Sequence, residues 1–96
     1  MVGAWIAGCR FVAVDFSGTL FEKANGHAAE FVDVDLRNAE FRGACLSDAS
    51  FVRCDLSGAR FCGADVRGAR LLACQGLTLE LADQLQERGA KISEFC

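Results

Sequence analysis

Large apolar residues recur at every fifth position along most of the chain: Ile6, Phe11, Phe16, Phe21, Phe31, Leu36, Phe41, Leu46, Phe51, Leu56, Phe61, Val66 and Leu71. Gly26 is the single exception among these fourteen positions. Two residues before each centre stands a small residue, as at Ala4, Cys9, Thr19, Ala39 and Cys54, and all fourteen units fit. The residue just before the centre is often polar (Asp15, Glu30, Asp35, Arg60), and the second after it is often Gly, Asn or Asp (Gly18, Asp33, Asn38, Gly58). A period of five matches neither a helical face, which repeats every 3.6 residues, nor a strand, which alternates every two. One small and one large residue per unit point inward and three point out. No unit of five can bury anything alone, so the pattern predicts stability from stacked turns of chain.

The units "CDLSG" at 54–58, "GADVRG" at 63–68 and "ANG" at 24–26 give the chain, over residues 4–76, a form that resembles the pentapeptide-repeat family, whose units read roughly A(D/N)LxG. That resemblance implies an all-β solenoid, a right-handed quadrilateral β-helix with one pentapeptide per side and four per coil. About 3.5 coils at a strand spacing of ~4.8 Å make a stub ~17 Å long.

With four units per coil, residues twenty apart stack. Phe11, Phe31, Phe51 and Leu71 form one interior column, and Phe21, Phe41 and Phe61 form the opposite one. Leu36 and Leu56 lie in the column of Phe16, and Leu46 and Val66 share a side with Ile6 and Gly26. Four Phe in one layer would overfill so narrow a lumen, whereas two aromatic walls with aliphatics between fill it without strain. This ladder reads as packing, not as a cofactor box. Gly26 leaves one interior position without a side chain and predicts a bulge or local irregularity.

The same step sorts the candidate chemistry. Cys9, Cys54 and Cys74 take the small inward position, where a thiol behaves as a slightly larger Ala. Cys45 and Cys62 fall outward, and no four-ligand zinc spacing is present. Structural or free thiols are therefore expected, with no metal and no cofactor. His27 is read as an incidental surface residue with no Ser or Cys near it by register, so no nucleophile–base pair is assigned.

Two outward columns stand out. Asp15, Asp35 and Asp55 stack three carboxylates on one side, either a solvated row or an acidic strip facing a basic partner. Val12, Val32, Val52 and Leu72 form an outward apolar stripe, covered either by the chain's own termini or by an interface. Trp5 and Leu20 are also outward by register.

After Gly76 the five-residue rule stops. Thr78 as N-cap, Glu80 and Asp83 early, Arg88 late and Gly89 as stop predict a helix. Residues 1–76 thus read as the β-helix and 77–96 as a capping helix and tail. Leu79, Leu81, Ala82 and Leu85 share a broad face suited to closing the open end, and Ile92 and Phe95 lie on a tail that needs packing. The ending is similar to that of the quinolone-resistance pentapeptide-repeat proteins, where a helix joins two subunits. This resemblance implies a homodimer through residues 77–96.

Composition limits the function classes. A net charge of −3 argues against direct binding to nucleic acid through a basic surface. No apolar run is long enough to span a membrane, and "MVGAWIAGCRF" lacks a secretory pattern, so a cytoplasmic protein is expected. No nucleotide, metal or nucleophile–base motif is present, and an enzyme is not expected. The first reading is a non-enzymatic protein-interaction module on a rigid scaffold. The alternative is DNA mimicry of a type II topoisomerase such as DNA gyrase, with fluoroquinolone protection, as the quinolone-resistance resemblance implies. Nine acidic against eight basic side chains in residues 1–76, a net of −1, supply little of the negative field that a mimic needs.

Overall fold

Residues 2–93 are described by a computed structural model. The expected contact at Phe95 lies outside the described residues. The chain winds as a right-handed four-sided β-helix with a step of twenty residues per coil. One side is a continuous parallel sheet in the order β1 (Arg10–Val12), β2 (Glu30–Val32), β3 (Ser50–Val52), β4 (Arg70–Leu72) and β5 (Lys91–Ser93). The other sides are held by bridges at the middle of each pentapeptide: Trp5–Asn25–Cys45–Asp65, Asp15–Asp35–Asp55–Gln75 and Leu20–Glu40–Arg60.

The corners explain the period. Every fifth residue from Gly3 to Ala73 has a positive φ. A left-handed residue turns the backbone by a quarter, and Gly, Asn and Asp enter that conformation at least cost. Lys23, Arg53 and several alanines occupy it as well, which intrinsic preference disfavours by about 1 kcal/mol each. Ladder bonds between coils, such as Ile6 N to Asn25 O and Asn25 N to Ala4 O, both 2.8 Å, hold them there.

The interior matches the expected columns. Phe21, Phe41 and Phe61 stack with ring centroids 4.9 and 5.0 Å apart, and Phe31 lies 4.9 Å from Phe51 in the opposite wall. The walls meet edge to face, Phe41 to Phe51 at 6.1 Å and 85°. Phe11 continues its wall at 5.3 Å from Phe31 and meets Phe16 edge-on. Such offset and perpendicular pairs suit the ring quadrupole.

Gly26 causes no bulge, contrary to expectation. Its N–H bonds Cys45 O at 2.7 Å and the ladder runs through it in register. A side-chain carbon there would stand 3.0 Å from Leu46 Cδ2 and 3.7 Å from Ile6 Cδ1, so the neighbouring coils already fill the space.

The far end is closed by more than a helix. In α1 (Leu79–Glu87), Thr78 Oγ1 accepts from Leu81 N at 3.1 Å as N-cap. Leu85 is buried, and Leu81 and Ile92 pack against the core. Arg88 follows the helix and donates from Nη1 to Phe61 O at 2.8 Å. Leu79, expected on the capping face, is instead 85% exposed, because the first helical position projects beyond the coil that Leu85 covers. The tail does not lie loose: β5 pairs with β4 in parallel, setting Ile92 over Leu71. Thus α1 replaces the remaining sides of a last coil, and the sheet gains a fifth strand.

At Gly76 (φ +81°) an added Cβ would stand 2.5–2.6 Å from Ser57 backbone N and Cα, whereas at Gly18 (φ +68°) it would meet open space. Gly76→Ala is expected to lose about 2–4 kcal/mol in urea unfolding, and Gly18→Ala about 1 kcal/mol. Equal losses would refute this account of the close approach at Gly76.

Candidate functional site

With the core filled, whatever the chain does falls to its outer columns. The apolar stripe lies in register across the sheet, Val12–Val32–Val52–Leu72, and ends at Ser93. Val12 is 51% and Leu72 40% exposed, with Val32 and Val52 half-buried between them. Beside its far end a shallow groove of about 300 Å³ is lined by Val52, Leu72, Arg70 and Lys91. The other outward row of this side is charged at both ends, with Arg10 and Glu30 3.8 Å apart. The side is therefore a flat sheet face carrying an apolar strip with a polar flank.

The aspartate column stacks as expected but does not present three uncommitted charges. Asp15 Oδ1 accepts from Ser17 N and Oγ at 2.9 and 2.7 Å, and Asp55 Oδ1 accepts from Ser57 N and Oγ at 3.0 and 2.6 Å. Asp35 takes Arg37 Nε and Nη2, the latter at 2.8 Å. At the adjoining corner Asp33 takes Arg53 Nε at 2.8 Å. The hydrogen bond from Ser17 holds the Asp15 carboxyl below the usual range, and the guanidiniums of Arg53, Arg37 and Arg67 do so for Asp33, Asp35 and Asp65. Arg37 and Arg53 thus neutralise the middle of the strip.

His27 corrects a sequence expectation. Its Nδ1 lies 2.7 Å from Ser47 Oγ, and Cys45 Sγ lies 3.4 Å from the same oxygen. A step of twenty from His27 lands on Ser47, so the register that sorted the Phe columns contained this pair too. The trio sits on an open face, where it makes a hydrogen-bonded polar patch.

The thiols divide by depth. Cys54 and Cys74 donate to Phe31 O and Phe51 O at 3.3 and 3.2 Å. The contact with Cys74, together with burial, pushes the Cys54 thiol up. Cys9, expected inward, is exposed: among the described residues a neighbouring coil covers it on one side only. Cys62 lines a groove under α1 together with Arg60 and Arg88. Among the described residues no group of three or more His, Cys, Asp or Glu is placed to hold a metal ion. No described helix is long and apolar enough to cross a membrane.

A side of five residues, a left-handed residue at each corner and a small–large inward pair define a pentapeptide solenoid. The family model for pentapeptide repeats matches residues 9–51 and 46–72, with eight copies, and the chain belongs to that family. No curated protein matches it. Among solved structures it is similar to a pentapeptide repeat protein from the Arabidopsis thaliana thylakoid lumen, at 19% identity over 95% of this chain and 80% of that one, with a TM-score of 0.56. It is also similar to QnrB1, a plasmid-mediated fluoroquinolone resistance protein, at 20% identity over 91% and 81% of the two chains, with a TM-score of 0.41. A pentapeptide repeat protein from Nostoc PCC 7120 matches at 19% identity over 96% and 83%, with a TM-score of 0.36.

The four lowered carboxyls bind protons less readily folded than unfolded. Below the ordinary aspartate value of 3.8 the unfolded chain therefore takes up more protons, and the stability these groups add is lost as pH falls. The melting temperature followed by circular dichroism is expected to hold between about pH 7 and 5 and to drop between about pH 4 and 2. A flat profile across the lower window would contradict the assignment.

Proposed function

We propose that the protein is a non-enzymatic protein-interaction module, with the face of β1–β4 as its main contact surface. The observation that carries this reading is the unbroken register of Val12, Val32, Val52 and Leu72 on the outside of the only continuous sheet among the described residues. An apolar row on a rigid, flat face is costly to leave in water and matches another flat apolar surface. The half-exposed ends of the stripe and the adjoining groove support it. The polar faces carry ion pairs and corner hydrogen bonds that hold the scaffold.

DNA mimicry of a type II topoisomerase is the second reading, supported by the stacking of Asp15, Asp35 and Asp55 at strand spacing. Arg37 and Arg53 stand against it, because a mimic needs a sustained negative field.

A photocrosslinking amino acid at position 52 is expected to give a discrete protein adduct that Val32→Asp abolishes. Equal adducts from position 57, on the aspartate side, would overturn the choice of face. In a gyrase supercoiling assay the interaction-module reading expects no inhibition at micromolar protein. Inhibition that D15N/D35N/D55N removes would put mimicry in its place.

A further inference from the structure

The two ends of the solenoid differ. At one end α1 and β5 cover the last coil; at the other, the layer of Phe11 and Phe16 is only partly buried, although Phe31 and Leu36 in the next coil are fully buried. Backbone groups at this end also face outward along the axis: Asn25 N bonds Ala4 O and Glu30 N bonds Cys9 O, while Trp5 and Arg10, one coil earlier, have no such partner among the described residues.

The rim of that coil is apolar where later coils are polar. Trp5, 77% exposed, is followed in its column by Asn25, Cys45 and Asp65; Leu20, 44% exposed, is followed by Glu40 and Arg60. A further coil stacked on the layer would cover Phe11 and Phe16 but would leave Trp5 and Leu20 outward. The partner must therefore supply apolar rim contacts of its own.

We propose that this end binds a second copy of the chain, head to head, about a two-fold axis through the corner between the Phe11 and Phe16 sides. This deepens the interaction-module reading, on which it rests, by naming one partner and a second surface. A two-fold axis across the end reverses chain direction, so the copies pair as antiparallel strands. Through this corner it exchanges the sides of Arg10 and Asp15, and those of Trp5 and Leu20. All four residues occupy the middle of their sides, so Arg10 lies over the partner's Asp15 and Trp5 over the partner's Leu20. Inward positions exchange small for large: Phe16 meets the partner's Cys9 and Phe11 meets the partner's Val14. The charges are complementary as well. Arg10 is only 3.8 Å from Glu30 and keeps donors for a second carboxylate, while both Ser17 bonds of Asp15 fall on Oδ1. Other diagonal or side-on axes set Arg10 over itself or over an apolar residue.

Extents of 29 × 26 × 22 Å give an end face on the order of 500 Å². Two copies then bury roughly 1,000 Å², the lower limit of a specific interface and the size of a weak, concentration-dependent contact. The other end offers less, since Leu81, Leu85 and Ile92 already pack on their own core.

Light scattering of the full chain is expected to show mass rising about twofold from 10.3 kDa between about 1 and 200 µM, with Trp5 emission moving to the blue in step. W5E, R10D and D15R, each with unchanged circular dichroism, are expected to weaken association by about tenfold or more, and R10D/D15R together to restore it. L79D is expected to leave it unchanged. A monomer at about 200 µM, a dimer indifferent to W5E, or failure of the reversed pair to restore association would each overturn the proposal. A monomer that keeps its position-52 adducts would leave the interaction module standing and remove only this contact.

Discussion

The ladder between coils is the constraint on which everything else depends. A backbone that turns left every fifth residue has little preference for doing so alone. Lys23, Ala28 and Arg53 would leave that conformation in a free chain. They are held because each side bonds the coils before and after it: Asn25 reaches the preceding coil through N to Ala4 O and through O from Ile6 N, while Ala24 O and Gly26 N bond Cys45 in the following one. Side chains then inherit their places: the lumen receives alternate large and small residues, and the faces receive the rest in rows about 4.8 Å apart.

The rows make surface chemistry a matter of vertical neighbours. Asp33 meets Arg53, and Glu40 meets Arg60 at 3.9 Å, because each pair is twenty apart in sequence. Arg37 and Arg67 instead fold back onto carboxylates two residues earlier. The faces are thus mostly self-paired in charge, and apolar rows stand out against them. This contrast, more than any single residue, separates the sheet face and the open coil from the remaining surface.

Much of this was legible from residue spacing. The Phe and Leu columns followed from a step of five nested in a step of twenty, and the structure reproduces them. The His27–Ser47 pair is contained in the same step of twenty, but nothing in the residues adjacent to His27 points to it. Gly26 misled for another reason: a missing side chain in one coil is compensated by Leu46 above it, which one unit viewed alone cannot reveal. The strand at Lys91–Ser93 lay beyond reach because a helix intervenes and Ile92 comes twenty-one residues after Leu71 instead of twenty. The committed state of Asp35 depends on the rotamer of Arg37, which spacing does not specify.

The twenty-residue step also governs how the chain can fold. The ladder bonds between repeating coils join residues nineteen to twenty-one apart, wherever they lie, so closing one coil requires the same short loop as closing the next. Order can then spread from any completed pair of coils by adding neighbours one at a time. Among the described residues the first coil has a neighbour on one side only, whereas β3 is flanked by β2 and β4. Local opening is consequently graded along the axis, easiest at the coil of Phe11 and Phe16 and hardest in the middle. Slow amide exchange at Phe51 and fast exchange at Phe16 would be the kinetic image of that gradient.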